Sequence, residues 1–138
     1  ALTILSADLK TNNIDLDLKF DTFEEVEIFG VKSEFSQVII SIVSNAIDVL
    51  KNIEKPKIGI SISSNSAEVT ISILDNGGGI KSKNIKKIFE PYFSTKEHGT
   101  GIGLYLSKMI IEESFSGKIS VENQKEGAVF SLFIEKAL

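Results

Sequence analysis

Apolar and polar residues alternate strictly from Ile14 to Phe20, with Ile14, Leu16, Leu18 and Phe20 on one face, which predicts a half-buried strand. "EVEIFG", ending at Gly30, predicts a second, short strand. From Lys32 to Ile53 the period becomes helical: Phe35, Val38, Ile39, Ile42, Val43, Ala46, Val49, Leu50 and Ile53 form one apolar stripe. "KIGISIS" and "EVTISIL" alternate on either side of "SNSA" and predict a hairpin. Ser82 to Phe89 fits a short helix, and Leu104 to Phe115 a longer amphipathic one. "KISVEN" and "AVFSLFIE" form a closing hairpin around "QKEG", while residues 1–13 read as a short helix or the tail of an upstream one. The pattern is that of one α/β domain spanning 1–138, a mostly antiparallel sheet with helices on one face.

Composition narrows the function classes. An apolar share of 42% in 138 residues is enough for one domain with a single core. Net charge is −4, which argues against a general nucleic-acid-binding surface. All 15 basic residues are lysine, so no guanidinium clamp exists and phosphate would fall to Lys and backbone N–H groups. The absence of cysteine excludes disulfides and thiolate metal sites and fits a reducing cytosol. Apolar runs such as Val38–Ile40 fall far short of the roughly 18 residues of a membrane span, and the N-terminus lacks a signal-peptide pattern. A cytoplasmic location is expected, free or as the cytoplasmic portion of a membrane-bound sensor, with no membrane contact by this domain itself.

Glycine is concentrated between Gly77 and Gly103, the least regular interval of the chain and therefore the expected place of a site. On the long helix Gln37, Ser41, Asn45, Asp48 and Asn52 fall in one polar sector, which as a whole reads best as a solvated face. Asn45 stands apart from that reading. A mid-helix Asn has poor helix propensity and no cap to make here, and its amide oxygen is a hard donor suited to Mg²⁺. In "EVTISILDNGGGI" the parity of Val69, Ile71 and Ile73 carries Asp75 inward, where a carboxylate is costly without a donor. An Asx turn accounts for Asp75, but not for Gly77, Gly78 and Gly79 after it. Those glycines let a flat ligand approach backbone, and a carboxylate facing an exocyclic amino group would select adenine over guanine. Gly99, Gly101 and Gly103 lead into a helix, whose free N–H groups and positive dipole end suit an anion. Taken alone, Gly-x-Gly-x-Gly fits a flexible hinge about as well. Phe89, Tyr92 and Phe93 read first as packing residues, and Lys96 either reaches a terminal phosphate or is solvated.

In this order the motifs resemble the ATP-binding catalytic domain of two-component sensor histidine kinases, in the GHKL (Bergerat-fold) ATPase superfamily. "QVIISIVSNAIDVL" is similar to the family's N box, "DNGGGI" to its G1 box, "IFEPYFSTK" to its F box and "GTGIGL" to its G2 box. "EGAVFSLFI" looks like the closing strand, so the resemblance runs from about Ile14 to the C-terminus.

The resemblance implies a two-layer sandwich of a mixed five-stranded sheet and about three helices, with ATP and Mg²⁺ as cofactors. It makes Asn45 the Mg²⁺ ligand, Asp75 the contact to the adenine amino group, and Gly77, Gly79 and Ile80 the shape of the base pocket. Residues 80–98 would form a lid pinned by Phe89 and Phe93, with Tyr92, Thr95, Lys96 and His98 beside the nucleotide. Gly99, Thr100, Gly101, Ile102, Gly103 and Leu104 would wrap the phosphates, with Asp48 near them and Asn45 and Lys96 as the catalytic pair. The implied partners are ATP or ADP, a dimerisation domain carrying the acceptor histidine, and a downstream response regulator.

Three positions depart from the family's pattern. Ser41 stands where many of these kinases have Asn and the ATP-hydrolysing relatives have a Glu base. Asp48 stands where some have Lys or Arg, with Lys51 or Lys96 as substitutes. Val49 replaces a frequent aromatic. The alternatives are a GHKL clamp ATPase or anti-sigma-type serine kinase, against which Ser41 counts, and a nucleotide-sensing module without phosphotransfer. The sole histidine, His98, reads as a lid residue rather than a phosphoacceptor.

Overall fold

The computed structural model describes residues 2–21, 30–93 and 102–136. Its elements run α1 (Leu2–Thr11), β1 (Asp15–Asp21), α2 (Lys32–Val49), β2 (Lys57–Ser64), β3 (Glu68–Asp75), α3 (Ser82–Ile85), α4 (Gly103–Met109), β4 (Lys118–Asn123) and β5 (Ala128–Glu135). A π-helical turn, Ile110–Ser114, prolongs α4. The five strands form one sheet in the order β1-β2-β3-β5-β4. β1 and β2 are parallel, as a crossover through α2 requires, and the remaining pairs are antiparallel. The expected mixed, mostly antiparallel two-layer sandwich is therefore the fold, with four helices among the described residues rather than three.

Side-chain alternation sorts the sheet into two faces. Ile58 and Ile60 of β2, Val69, Ile71 and Ile73 of β3, and Phe130, Leu132 and Ile134 of β5 are buried. They share one core with Val38, Ile42, Val43 and Ala46 of α2 and with Leu5 and Leu9 of α1. The other face is polar, with Ser61, Ser72, Ser131 and Ser120 in register across four strands. One row further along, Gly59 leaves the floor of a depression of about 560 Å³ between Asp17, Lys57, Leu74 and Val129.

The β2–β3 turn is built by Asn65, whose Oδ1 accepts from the Ala67 and Glu68 N–H groups, both at 2.8 Å. β4 and β5 coincide with the segments expected from alternation.

Several boundaries differ from the pattern. α2 stops at Val49, not Ile53: Leu50 caps it, the chain turns, and Lys55 at φ +52 precedes Pro56. Ile47 joins the core while Val49 is 47% exposed, so the apolar stripe is displaced from one of its expected members. The helix expected over 82–89 closes only one turn, Ser82–Ile85, before irregular turns. The strand expected at "EVEIFG" lies, apart from Gly30, outside the described residues.

Candidate nucleotide site

Two segments converge on one side of α2. The loop that follows β3 meets its C-terminal end: a Cβ on Gly77 would stand 3.0 Å from Val49 Cγ2 and 3.1 Å from Asp75 Oδ1. The start of α4 meets its middle, where a Cβ on Gly103 would stand 3.7 Å from Ser41 Oγ. Ser41 and Val49 are eight positions apart on a helix that rises 1.5 Å per residue. The two glycine segments are thus separated by about 12 Å along α2, with Asn45 halfway between them. That is the length over which a base and a chain of phosphates can lie.

Asp75 closes the inward row of β3, as parity predicts, and is half-buried. Burial pushes its carboxyl above the ordinary value of 3.8, and the Gly77 and Ala128 backbone N–H groups pull partly back. The Gly77 N–H donates to Asp75 Oδ1 at 2.9 Å, the Asx turn that the residue types suggest. The group is therefore oriented and only partly compensated, a state in which a further donor from a ligand is favourable. The loop beyond it is set by Gly78 and Gly79, at φ +89 and +87, a region L side chains rarely adopt. Ile80 is half-buried against the core.

Asn45 is half-buried, and among the described residues its carboxamide has no hydrogen-bond partner. Its neighbours in the polar sector, Ser41 and Asp48, are half-buried oxygen donors too, while Gln37 and Asn52 are exposed. Asp48 is bridged by Lys51 at 3.4 Å, so Lys51 is already committed to a carboxylate. An all-oxygen donor set fits Mg²⁺ rather than a softer metal. No group of three His, Cys, Asp or Glu suited to a metal occurs among the described residues. A cation at Asn45 would thus take its remaining ligands from phosphate and water.

Phe89 is a packing residue first: its ring stands edge-on to Phe130, 6.1 Å between centroids, with Lys108 Nζ 5.9 Å above it. Phe93 is half-buried, whereas Tyr92 is 79% exposed and held at φ +65. Gly103 and Leu104 open α4, where no side chain caps the first turn and Ser107 Oγ donates to the Gly103 carbonyl at 2.8 Å. Ile102 immediately precedes the helix. Thr95, Lys96, His98, Gly99, Thr100 and Gly101 lie outside the described residues. Two neighbours of the site were missed by periodicity. Val49 was assigned to the core, and Ala128, which donates to Asp75, carried no polar side chain to mark it.

Comparison with known proteins agrees with this fold. Residues 30–138 match the family model described as histidine kinase-, DNA gyrase B-, and HSP90-like ATPase. The chain is 31% identical to sporulation kinase C of Bacillus subtilis over 96% of its length, and 33% identical to the sensor histidine kinase ZraS of Escherichia coli K12 over 97%. It spans only 30% and 28% of those two proteins. Among solved structures, the catalytic domain of histidine kinase ThkA superposes with a TM-score of 0.87 at 34% identity, covering 97% of this chain and 86% of that one. ThkA in complex with the response regulator protein TrrA matches with a TM-score of 0.83 at 30% identity, covering 98% of this chain and 38% of that one. The chain belongs to the histidine kinase-, DNA gyrase B-, and HSP90-like ATPase family, and within it to the catalytic ATPase domains of sensor histidine kinases.

Proposed function

We propose that this domain binds Mg²⁺–ATP along α2 and donates the γ-phosphoryl group to a histidine on a separate dimerisation domain. The observation that carries the reading is Asp75, an oriented, incompletely compensated carboxylate beside a loop that glycine keeps bare. It accepts a hydrogen bond from the adenine amino group. Guanine, with an oxygen at that position, offers it none. Val49 and Gly77 flank the base, and the phosphates run toward Ser41 and Gly103.

Asn45 would hold Mg²⁺, which when bound would neutralise charge on the phosphates. Lys96, with the Gly99–Gly103 backbone, steadies the terminal phosphate. In the transfer, a lone pair of the acceptor imidazole nitrogen forms the new P–N bond. The bond from γ-phosphorus to the bridging oxygen breaks, its electrons leave with ADP, and the imidazole releases a proton to solvent. The protein's part is positioning and electrostatics. Ser41 stands where hydrolysing relatives carry an acid, and a serine is a poor base for activating water, so water is a poor competitor. A response regulator, as in the ThkA–TrrA complex, would take the phosphoryl group from the histidine.

Calorimetry tests the base assignment. ATP should bind and GTP should not compete at equal concentration, and Asp75→Ala should lose about tenfold or more in ATP affinity. Equal affinities for ATP and GTP would remove Asp75 from its role.

A further inference from the structure

The loop from Asn76 to Ile80 is fastened at three points. Asn76 accepts from the Lys57 N–H at 2.8 Å through Oδ1 and donates to the Lys55 carbonyl at 3.0 Å through Nδ2. The Gly78 N–H donates to the Glu126 carbonyl at 3.0 Å, in the turn between β4 and β5. At the far end, Asn123 holds both backbone groups of Ile80: its Oδ1 accepts from the Ile80 N–H and its Nδ2 donates to the Ile80 carbonyl, each at 2.7 Å. Only one orientation of the carboxamide satisfies both bonds. The loop also fits closely against it, since a Cβ on Gly79 would lie 2.7 Å from Asn123 Oδ1.

Asn123 is the last residue of β4 and pairs with Ala128, while Leu74 pairs with Val129. One step on in that register, Asp75, Ala128 and Asn123 lie in a single row across β3, β5 and β4. Ala128 in the middle is the residue whose N–H turns toward the Asp75 carboxylate. Gly127 is pressed so closely on the Asp75 carbonyl that a side chain there would strike it. The loop leaves the row at Asp75 and returns to it at Asn123. Of its three fastenings, this one alone depends on a side chain from outside the loop and its flanking turn, so it can be removed separately.

From this we infer that Asn123 is a positioning residue for base recognition: by clamping Ile80 it holds the Asn76–Ile80 loop in the shape that lets Asp75 choose adenine. The inference rests on the reading of Asp75 given above. Without the clamp the loop's far end keeps only the Gly78 hydrogen bond and the packing of Ile80 against the core. The wall beside the base then shifts while the phosphate end at Ser41 and Gly103 is untouched. The ratio of ADP to GDP affinity is the diagnostic quantity, because a general loss of folded protein weakens both nucleotides equally and leaves their ratio unchanged.

The test compares the unmutated domain, Asn123→Ala and Asn123→Asp by amide hydrogen exchange without ligand and by competition calorimetry with ADP and GDP. Asp keeps the acceptor for the Ile80 N–H but sets a carboxylate against the Ile80 carbonyl. In both variants exchange at the Ile80 amide should rise about tenfold or more relative to β3 amides, as expected for loss of a local fastening. The ADP-over-GDP preference should fall by about threefold or more, since tenfold in affinity corresponds to only about 1.4 kcal/mol. Unchanged exchange at Ile80 would overturn the clamp. Raised exchange with the preference intact would overturn its role in recognition and leave Asp75 standing. Equal ADP and GDP affinities in the unmutated domain would overturn the reading of Asp75 and this inference with it.

Discussion

On the proposed reading, stability and recognition pull in opposite directions at Asp75. Its carboxyl is raised in the folded chain by burial, against an ordinary value of 3.8, so between the two values the folded state holds more protons than the unfolded one. Stability therefore falls as pH rises through that window, and the full penalty is present above the folded value. Asp75→Asn removes the charge and keeps an oxygen for the Gly77 and Ala128 N–H groups. In urea titrations at pH 7 the variant should be as stable as the unmutated domain or more so. The difference should narrow as pH falls through that window and close below 3.8, where Asp75 is neutral in both states. ATP affinity should drop about tenfold or more, because a hydrogen bond to a charged group is worth about 1.5–3 kcal/mol. A variant less stable at pH 7 would mean that the carboxylate is compensated in full within the protein. The inward parity of Asp75 was legible in the alternation of β3. Its donor Ala128 was not, because a backbone N–H leaves no trace in residue type.

α2 carries the candidate site along its length, with the poor helix former Asn45 in its middle. Asn45 is half-buried with no bonded partner among the described residues, so it does nothing for the free helix. Asn45→Ala should leave the apo domain equally stable or raise its unfolding free energy by about 0.5 kcal/mol, from helix propensity alone. The same variant should lose most of the Mg²⁺ dependence of ATP binding, measured calorimetrically with and without the ion. Equal Mg²⁺ enhancement in both proteins would place the ligand elsewhere. The helical period located α2 and its polar sector, including Ser41, Asn45 and Asp48. It misjudged the C-terminal turn. Val49 reads as core because Val is apolar, yet it turns toward Gly77 while Ile47 takes the buried place. The break after Leu50 follows from Lys55 and Pro56, a stop signal that apolar periodicity overran.

At the scale of the whole molecule, alternation revealed which residues share a face but not which strands are neighbours. The parallel pairing of β1 with β2, and the placing of β5 between β3 and β4, arise from the crossover through α2 and from burial of β5 on its inner face. That order brings Asp75, Ala128 and Asn123 into one row, which no local pattern contains. It also puts the loop after β3 and the start of α4 at two points along one helix, and this convergence supports a nucleotide donor rather than a simple hinge at the glycines. On the reading proposed above the domain holds ATP, and among the described residues there is no histidine to accept a phosphoryl group, His98 lying outside them. The most direct test uses ATP radiolabelled in the γ-phosphate with four samples: the domain alone, its His98→Ala variant, the domain with a cognate histidine-bearing hairpin, and the domain with that hairpin's histidine substituted. The account predicts slow hydrolysis and no stable label on the domain, and label on the hairpin that vanishes with its histidine. Label on the domain that disappears in His98→Ala, or brisk phosphate release without any hairpin, would contradict it.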